Sequence, residues 1–186
     1  MAITIGAFLI AGILSSYTYL ARNVVRNANQ QQLEAQSRRA LQTLAQDIRA
    51  ATDVSSFSSS QLALTMPYVH SDYSVTTYTV TYTCTSSSSG GMLVRTVTGT
   101  PPPGVTTNAI TLLTGLSNFS FNCLDLQGQS VTGSGYPFRV KQIELSNFTL
   151  TAGTAASGTQ SVFACTSARF VLSNKHLVLT QNGTSY

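Results

Sequence analysis

Charge is scarce in this sequence: 9% of its 186 residues are charged, against roughly 25% in ordinary soluble domains. It has no tryptophan and only two histidines. Its polarity comes from Ser, Thr, Asn and Gln, which crowd the stretches 54–61, 75–89 and 97–108. Neutral polar residues of this kind suit β-rich proteins that work outside the cell. The length allows one ordinary domain and one additional element.

The same scarcity argues against catalysis and against metal binding. Neither His70 nor His176 belongs to a metalloprotease motif, and no nucleophile elbow, phosphate-binding loop or calcium loop is present. The acidic residues beyond the first helix are too few and too scattered for a catalytic carboxylate pair: Asp53, Asp72, Asp125 and Glu144. We therefore expect no enzymatic activity, no cofactor, no metal and no small-molecule substrate.

The formal charge of +4 does not by itself indicate nucleic-acid binding. Half of the ten basic residues are spread around one predicted helix, as expected of a solvated helix surface: Arg22, Arg26, Arg38, Arg39 and Arg49. The aromatic residues of the remaining chain alternate with threonine rather than with Lys or Arg, which is not typical of a platform for single strands. Nucleic acid is therefore a disfavoured partner.

Three cysteines are present, and their spacing matches no paired C-x-x-C site. In an oxidising compartment we expect one disulfide and one spare thiol, whereas in the cytosol all three would be small core residues. Cys84 and Cys123 each share a strand face with aromatic residues, so we predict that these two pair and that Cys165 is spare. Their bridge would close a loop of about 40 residues and contribute ~3–4 kcal/mol.

The first 21 residues contain no charged side chain. A helix of about 20 residues can cross the ~30 Å hydrocarbon layer of a membrane. Small residues on such a helix allow close approach of neighbouring backbones. The side chains that we expect to form an assembly surface here are Ile3, Ile5, Phe8, Leu9, Ile10, Ile13, Leu14, Tyr17 and Leu20.

The helical pattern continues as an amphipathic stem to about residue 52 without Gly or Pro. Its apolar positions recur every three, four or seven residues on one side, and we expect four of them to pack on a sheet: Leu33, Leu41, Leu44 and Ile48. A single helix of this length would extend ~75 Å. Its apolar end would project beyond any head, so it needs lipid or identical neighbours.

Asp47 lies at the rim of this apolar stripe, where a carboxylate is costly unless it is paired or hydrogen-bonded. Candidate partners are Arg95 and Arg139 of the same chain, or Arg38 or Arg39 of an adjacent subunit. The alternative is a solvated surface acid. We predict an electrostatic role for Asp47 at a packing boundary.

Beyond the helix, residues 52–60 suggest a polar linker, and period-two patterns then predict five or six antiparallel strands. We expect strands over 62–66, ended by Pro67, and over 76–84, 92–97, 140–150 and 162–172, with one more around Phe119 to Cys123. Turns or loops are expected at 86–91, 100–104, 127–137 and 151–158. One face of the sheet needs cover, which the stem can supply. The predicted class is α+β, with a helix over 1–52 and a β-rich head over 53–186.

Four segments in this order resemble the type IV pilins and the type II secretion pseudopilins, especially the W-type and J-type minor pilins. They are the stem LEAQSRRALQTLAQDIRAA with its Asp47-Ile48-Arg49 triplet, GGMLVRT at 90–96, NFSFNCLDLQG at 118–128 and VFACTSARFVLSNK at 162–175. The resemblance implies a filament subunit that resides first in the inner membrane and then in an extracellular filament at the cell surface. Its partners would be copies of itself or other pilins.

One departure concerns the N-terminal motif of those families, an aromatic-Thr-Leu-aliphatic-Glu sequence whose glutamate pairs with a neighbouring subunit. The first acidic residue here is Glu34. We expect either that the true start lies upstream of this sequence or that the subunit assembles without this pair.

The alternative function is a single-pass membrane-anchored binding module for adhesion or DNA contact.

Overall fold

The computed structural model describes residues 2–85, 90–131, 139–152 and 161–175. Helix α1 spans Ala2–Ala50, and seven strands follow it within the described ranges. They are β1 (Asp53–Phe57), β2 (Gln61–Val69), β3 (Val75–Thr85), β4 (Gly91–Gly99), β5 (Ile110–Leu124), β6 (Gln142–Ala152) and β7 (Ser161–Val171). All seven form one antiparallel sheet in sequence order. The predicted α+β class, with a long N-terminal helix and an antiparallel sheet, is confirmed.

Helix α1 has two halves with different surroundings. The side chains of residues 7–22 are all exposed. From Leu33 onward, buried residues recur every three or four positions, which is the spacing of one helical face: Leu33, Ser37, Ala40, Leu44 and Ile48. The helix ends at Ala50, and Thr52 N already donates to the carbonyl of Thr65 at 2.9 Å. The stem therefore leads directly into the sheet.

The sheet curls around the stem, which packs against β2, β5, β6 and β7. Two hydrogen bonds hold β7 and the chain that follows it alongside the helix. Ser161 Oγ at the start of β7 donates to the carbonyl of Arg26 at 2.9 Å, and Asn174 Nδ2 after β7 donates to that of Arg49 at 3.1 Å. The largest fully buried side chains come from the stem and from the covered sheet face: Leu44, Ile48, Leu62, Leu64, Tyr82, Leu93, Leu113, Leu116, Ile143, Leu145, Phe148 and Leu150. This single core joins the stem to the head.

Two expectations about β1 and β2 are wrong. The predicted linker contains β1, whose register with β2 runs from Asp53 opposite Thr65 to Phe57 opposite Leu62. Backbone pairing and the buried Val54 hold this edge strand despite its serines. Pro67 does not end β2, which continues to Val69. Because β1 stops at the level of Thr65, Pro67 lies on a free edge where its missing N–H costs no bond to a second neighbour.

β5 is longer than expected, since it begins at Ile110 and pairs first with β4 and then with β6. Parts of the predicted turns at 86–91 and 127–137 lie outside the described residues, as does 153–158 of the predicted loop at 151–158. Thr151 and Ala152 themselves belong to β6. Residues 176–186 of the predicted head also lie outside the described ranges.

Gly115 occupies the irregular part of β5, where the pairing with β4 shifts register. Its φ is +75°, and an added Cβ would overlap the backbone carbonyl oxygen of Thr151 on β6. Thr151 Oγ1 donates to the carbonyl of Gly115 at 3.2 Å, so the two strands are closely held here. A side chain at this position requires the β5–β6 pairing to open.

We therefore expect Gly115→Ala to lower the free energy of unfolding by about 3 kcal/mol, through positive-φ strain and backbone overlap. Gly104→Ala is the matched control, because Gly104 has φ +89° but no atom within 4 Å of an added Cβ. The control should lose about 1 kcal/mol. Urea unfolding of both variants in detergent measures the difference, and equal losses would contradict the overlap.

Candidate assembly surface

The N-terminal half of α1 presents a continuous apolar surface. Seven of the predicted assembly residues each expose more than 60% of their surface: Phe8, Leu9, Ile10, Ile13, Leu14, Tyr17 and Leu20. The side chains of Ile3 and Ile5 lie outside the described residues. By length and composition α1 is apolar enough to cross a membrane, and no part of its most apolar stretch is buried within the chain. This surface has no partner among the described residues of its own chain.

Glycines shape this surface. An added Cβ at Gly6 or Gly12 would meet nothing within 4 Å. A shallow depression of about 520 Å³ lies over Gly12, bordered by Phe8, Ile13 and Tyr17. A depression between large apolar side chains can accept a side chain from a second helix, and small residues allow close backbone approach. The geometry therefore suits packing between helices.

The structure places the predicted stem residues against the sheet. Leu33, Leu44 and Ile48 are buried, and Leu41 is half-buried beside the same core. Ser37 is also buried in this stripe, which sequence reasoning missed because serine is polar. Its hydroxyl donates to the carbonyl of Glu34 one turn earlier at 2.9 Å, so its polar group is satisfied within the helix.

Asp47 lies in a nearly buried polar cluster between the stem and the sheet. Its carboxylate accepts hydrogen bonds from Tyr82 Oη at 2.5 Å and from Arg95 Nε at 2.7 Å. Tyr82 on β3 is directly opposite Arg95 on β4, so adjacent strands present both side chains on one face. The side chains of Asp47 and Arg95 are only 14% and 13% exposed. Asp47 thus links the stem to two central strands.

The electrostatics of this cluster follow from burial and from the carboxylate. Burial raises the pKa of Tyr82, and the negative charge of Asp47 and its hydrogen bond raise it further, so the phenol stays neutral. For Arg95, burial opposes the charged form, but the hydrogen bond and charge of Asp47 outweigh it and raise the pKa. The cluster therefore combines a guanidinium that stays charged with a neutral phenol, and both donate to the Asp47 carboxylate.

The other candidate partners of Asp47 have different environments. Arg139 lies 4.0 Å from Asp125, and Arg38 lies 4.0 Å from Glu34 on the same helix. Arg39 lines a groove beside β5. The sequence did not single out Tyr82 as a partner, because its strand pattern indicates only an apolar position.

A second ion pair joins the chain after β7 to the start of β1. Lys175 Nζ lies 2.5 Å from Asp53 Oδ1, and the Lys175 side chain is only 3% exposed. Lys141 Nζ donates to the carbonyl of Lys175 at 2.8 Å. These contacts bring the two ends of the sheet together. No sequence motif marks the ion pair, because Asp53 and Lys175 are more than a hundred positions apart.

The predicted Cys84–Cys123 disulfide is absent, since both cysteines are free and buried. Cys84 on β3 is opposite Leu93, and Cys123 on β5 is opposite Ile143, so the two are not cross-strand neighbours. A disulfide needs Cα atoms within roughly 7 Å and converging Cβ atoms. The side chain of Cys165 lies outside the described residues. The alternation of apolar and polar residues along each strand places both cysteines on the covered face of the sheet, but it does not show which strands are neighbours.

Burial raises the pKa of both thiols, and that of Cys123 rises to about 12 although the charge of Lys175 opposes the shift. The folded state therefore holds this proton more tightly than the unfolded chain does. Its contribution to stability is complete below pH 9 and is lost as the pH rises towards 12.

We expect the free energy of unfolding to fall between pH 9 and pH 12, by up to about 1.4 kcal/mol per pH unit from this thiol. Tyr82, whose pKa is also raised, adds to the loss at the upper end. Cys123→Ala should give a shallower slope in urea unfolding measured across this range. An unchanged slope would show that the thiol does not titrate with folding.

The histidines show no metal chemistry in the described part of the chain. His70 Nε2 lies 2.8 Å from Thr76 Oγ1, and its ring centroid lies 4.4 Å from that of Tyr68, with the two ring planes tilted by 59°. His176 lies outside the described residues. Across the described ranges no three His, Cys, Asp or Glu side chains are close enough together to hold a metal ion. Among the described residues, the most extensive exposed apolar surface is the N-terminal half of α1.

Comparisons with known proteins add no identification. No known family profile and no characterised protein matches this sequence.

Proposed function

We propose that this chain is a structural subunit of an extracellular type IV pilus-like or pseudopilus filament. The observation that carries the proposal is the division of α1. Its stem is fixed in the head by Leu33, Leu44, Ile48 and the Asp47 cluster, whereas its apolar half is exposed on all sides. A pilin-like helix needs this division, because one half holds the head and the other half holds the neighbours.

The energetics support an obligatory partner for the exposed half. Removing a large aliphatic or aromatic side chain from water stabilises by ~1.5–3 kcal/mol, so seven such side chains would contribute on the order of 10 kcal/mol per subunit. Water is thus a poor environment for this surface, while lipid and other copies of α1 are both suitable. We infer that the subunit resides in the inner membrane before assembly and that its helix enters the filament core afterwards.

A membrane-anchored binding module is the second candidate function. The same α1 segment supports it, because one apolar helix of this length is sufficient for a single-pass anchor. The two functions differ in what happens to the helices when lipid is removed. Without detergent an anchored module forms irregular aggregates through its apolar helix, whereas a filament subunit forms long regular polymers.

Sedimentation of the full chain after detergent removal tests the proposal. We expect the full chain to pellet as filaments that are visible by negative-stain electron microscopy. A chain lacking residues 1–21 should remain in the supernatant as a monomer, because it retains the stem but not the exposed surface. Filaments formed by the shortened chain would overturn the assignment of α1 as the assembly element.

A further inference from the structure

The hairpin formed by β2 and β3 extends beyond both neighbouring strands. The register of β1 with β2 stops at Thr65, and that of β4 with β3 stops at Tyr78. Residues 67–69 and 75–77 therefore pair only with each other. The result is a two-stranded projection from the head, here called the hairpin tip and comprising residues 67–77.

The hairpin tip holds an aromatic side chain in the open. Tyr73 is 88% exposed and has φ +62°, a conformation that is uncommon for residues other than glycine and asparagine. Its backbone N donates to the carbonyl of His70 at 3.0 Å, and His70 N donates to the carbonyl of Ser74 at 2.8 Å. Val69 and Val75 beside it are 59% and 62% exposed. The turn is thus closed by two backbone hydrogen bonds and displays apolar surface.

The hairpin tip carries one charge, at Asp72. Asp72 Oδ1 accepts hydrogen bonds from Ser74 Oγ at 2.6 Å and from Ser74 N at 3.0 Å. The hydroxyl hydrogen bond is the main cause of a lowered pKa, so this carboxylate is ionised at neutral pH. Because the tip has no Lys or Arg, it repels rather than attracts the phosphates of a nucleic acid.

A groove of about 440 Å³ lies elsewhere on the same subunit, between the stem and the start of β5. It is lined by polar side chains that include Gln36, Arg39 and Thr43, with Thr111 and Leu112 on the opposite wall. Within the described part of the chain, Arg39 is the one groove-lining side chain with a charge, and no ion pair there involves it. The groove therefore offers a positive charge and room for an aromatic ring.

We propose that the hairpin tip of one subunit binds in the stem groove of the next, with Tyr73 in the groove and Asp72 facing Arg39. This contact rests on the proposed filament and names the part of each head that touches its neighbour. Tip and groove are different surfaces of one chain, so the contact is heterologous, and it repeats along an open polymer when it does not close into a ring. The charges are complementary, and a second copy supplies both surfaces in equal number.

A charge exchange tests the polarity of the contact. Asp72→Lys and Arg39→Glu should each raise the concentration needed for half-maximal pelleting about tenfold, because each places like charges together. The double variant should return to within about threefold of wild type. Asp72→Asn controls for the turn, since asparagine preserves the hydrogen bonds to Ser74 but not the charge. Additive defects in the double variant would overturn the Asp72–Arg39 pair.

Cysteine cross-linking tests the contact itself. The full chain carrying Tyr73→Cys and Ala35→Cys, which adds a thiol in the groove, should give a ladder of covalent oligomers after oxidation of the pelleted filaments. Tyr73→Cys with Gln46→Cys is the matched control, because Gln46 is an exposed stem residue outside the groove. This control should remain monomeric on non-reducing gels.

The possible outcomes separate this contact from the proposed function. Filaments without the ladder overturn the contact and leave the filament proposal standing. If a glycan binds filaments that give no ladder, and if Tyr73→Ala abolishes this binding, the hairpin tip is a glycan-binding site instead. Failure of the wild-type chain to form filaments overturns the proposed function, and the contact with it.

Discussion

Replacing Ile13 with Lys should abolish filament formation and leave the unfolding temperature of the head unchanged. Ile13 is 68% exposed on the apolar half of α1, far from the stem residues that contact the sheet. A lysine at the centre of an apolar helix bundle costs about 2.5–3.5 kcal/mol per subunit on insertion scales. Because every subunit in the polymer carries the defect, the cost is repeated at each step of assembly.

The matched control is Gln42→Lys, which adds the same charge at an exposed position of the stem. This variant should pellet like wild type. Sedimentation measures assembly, and circular dichroism of the same samples measures the melting of the head. Equal pelleting of Ile13→Lys and wild type would contradict a role of this surface in assembly.

Asp47→Ala should lower the free energy of unfolding by about 3 kcal/mol, because it leaves Arg95 charged and nearly buried without its partner. Tyr82 loses its acceptor as well, since its hydroxyl donates to the same carboxylate. The substitution weakens the contact between the stem and the sheet, because Asp47 is on the stem and both of its partners are on strands. We therefore expect the variant to give fewer intact filaments even though its apolar half is unchanged.

The double variant Asp47→Leu with Arg95→Met should recover much of this stability, because it removes both buried charges together. Glu34→Ala is the exposed control. Glu34 and Arg38 lie 4.0 Å apart with side chains 43% and 81% exposed, and such pairs contribute under ~1 kcal/mol. Urea unfolding of the three variants measures each loss. If Asp47→Ala were no less stable than Glu34→Ala, Asp47 would be an ordinary surface acid.

The two halves of α1 and the covered face of the sheet were accessible from sequence, because burial follows periodicity. Leu33, Leu44 and Ile48 recur at helical spacing, and all three are buried in the core. β1 was not accessible in this way. Its sequence DVSSF has little apolar pattern, and the strand forms because its backbone pairs with that of β2. Edge strands of this type depend on tertiary pairing more than on propensity.

The polar contacts were less predictable than the core. The rim position of Asp47 indicated that it needed a partner, but the choice among four arginines depended on the register of β3 and β4. The sequence also does not show which strands are neighbours, and for this reason the predicted pairing of Cys84 with Cys123 was incorrect. The hairpin tip could not be predicted from the sequence for a related reason, since its projection depends on where β1 and β4 end. Sequence patterns describe faces, whereas strand neighbours are decided by the whole sheet.

Helical reconstruction of the pelleted filaments by electron cryomicroscopy tests the central claim most directly, because it shows which part of each subunit forms the polymer axis. We predict a core of α1 helices from neighbouring subunits, packed through the side chains of residues 6–21, with the sheets outside. Polymers joined through their sheets, with the apolar halves of α1 projecting away from the axis, would contradict it.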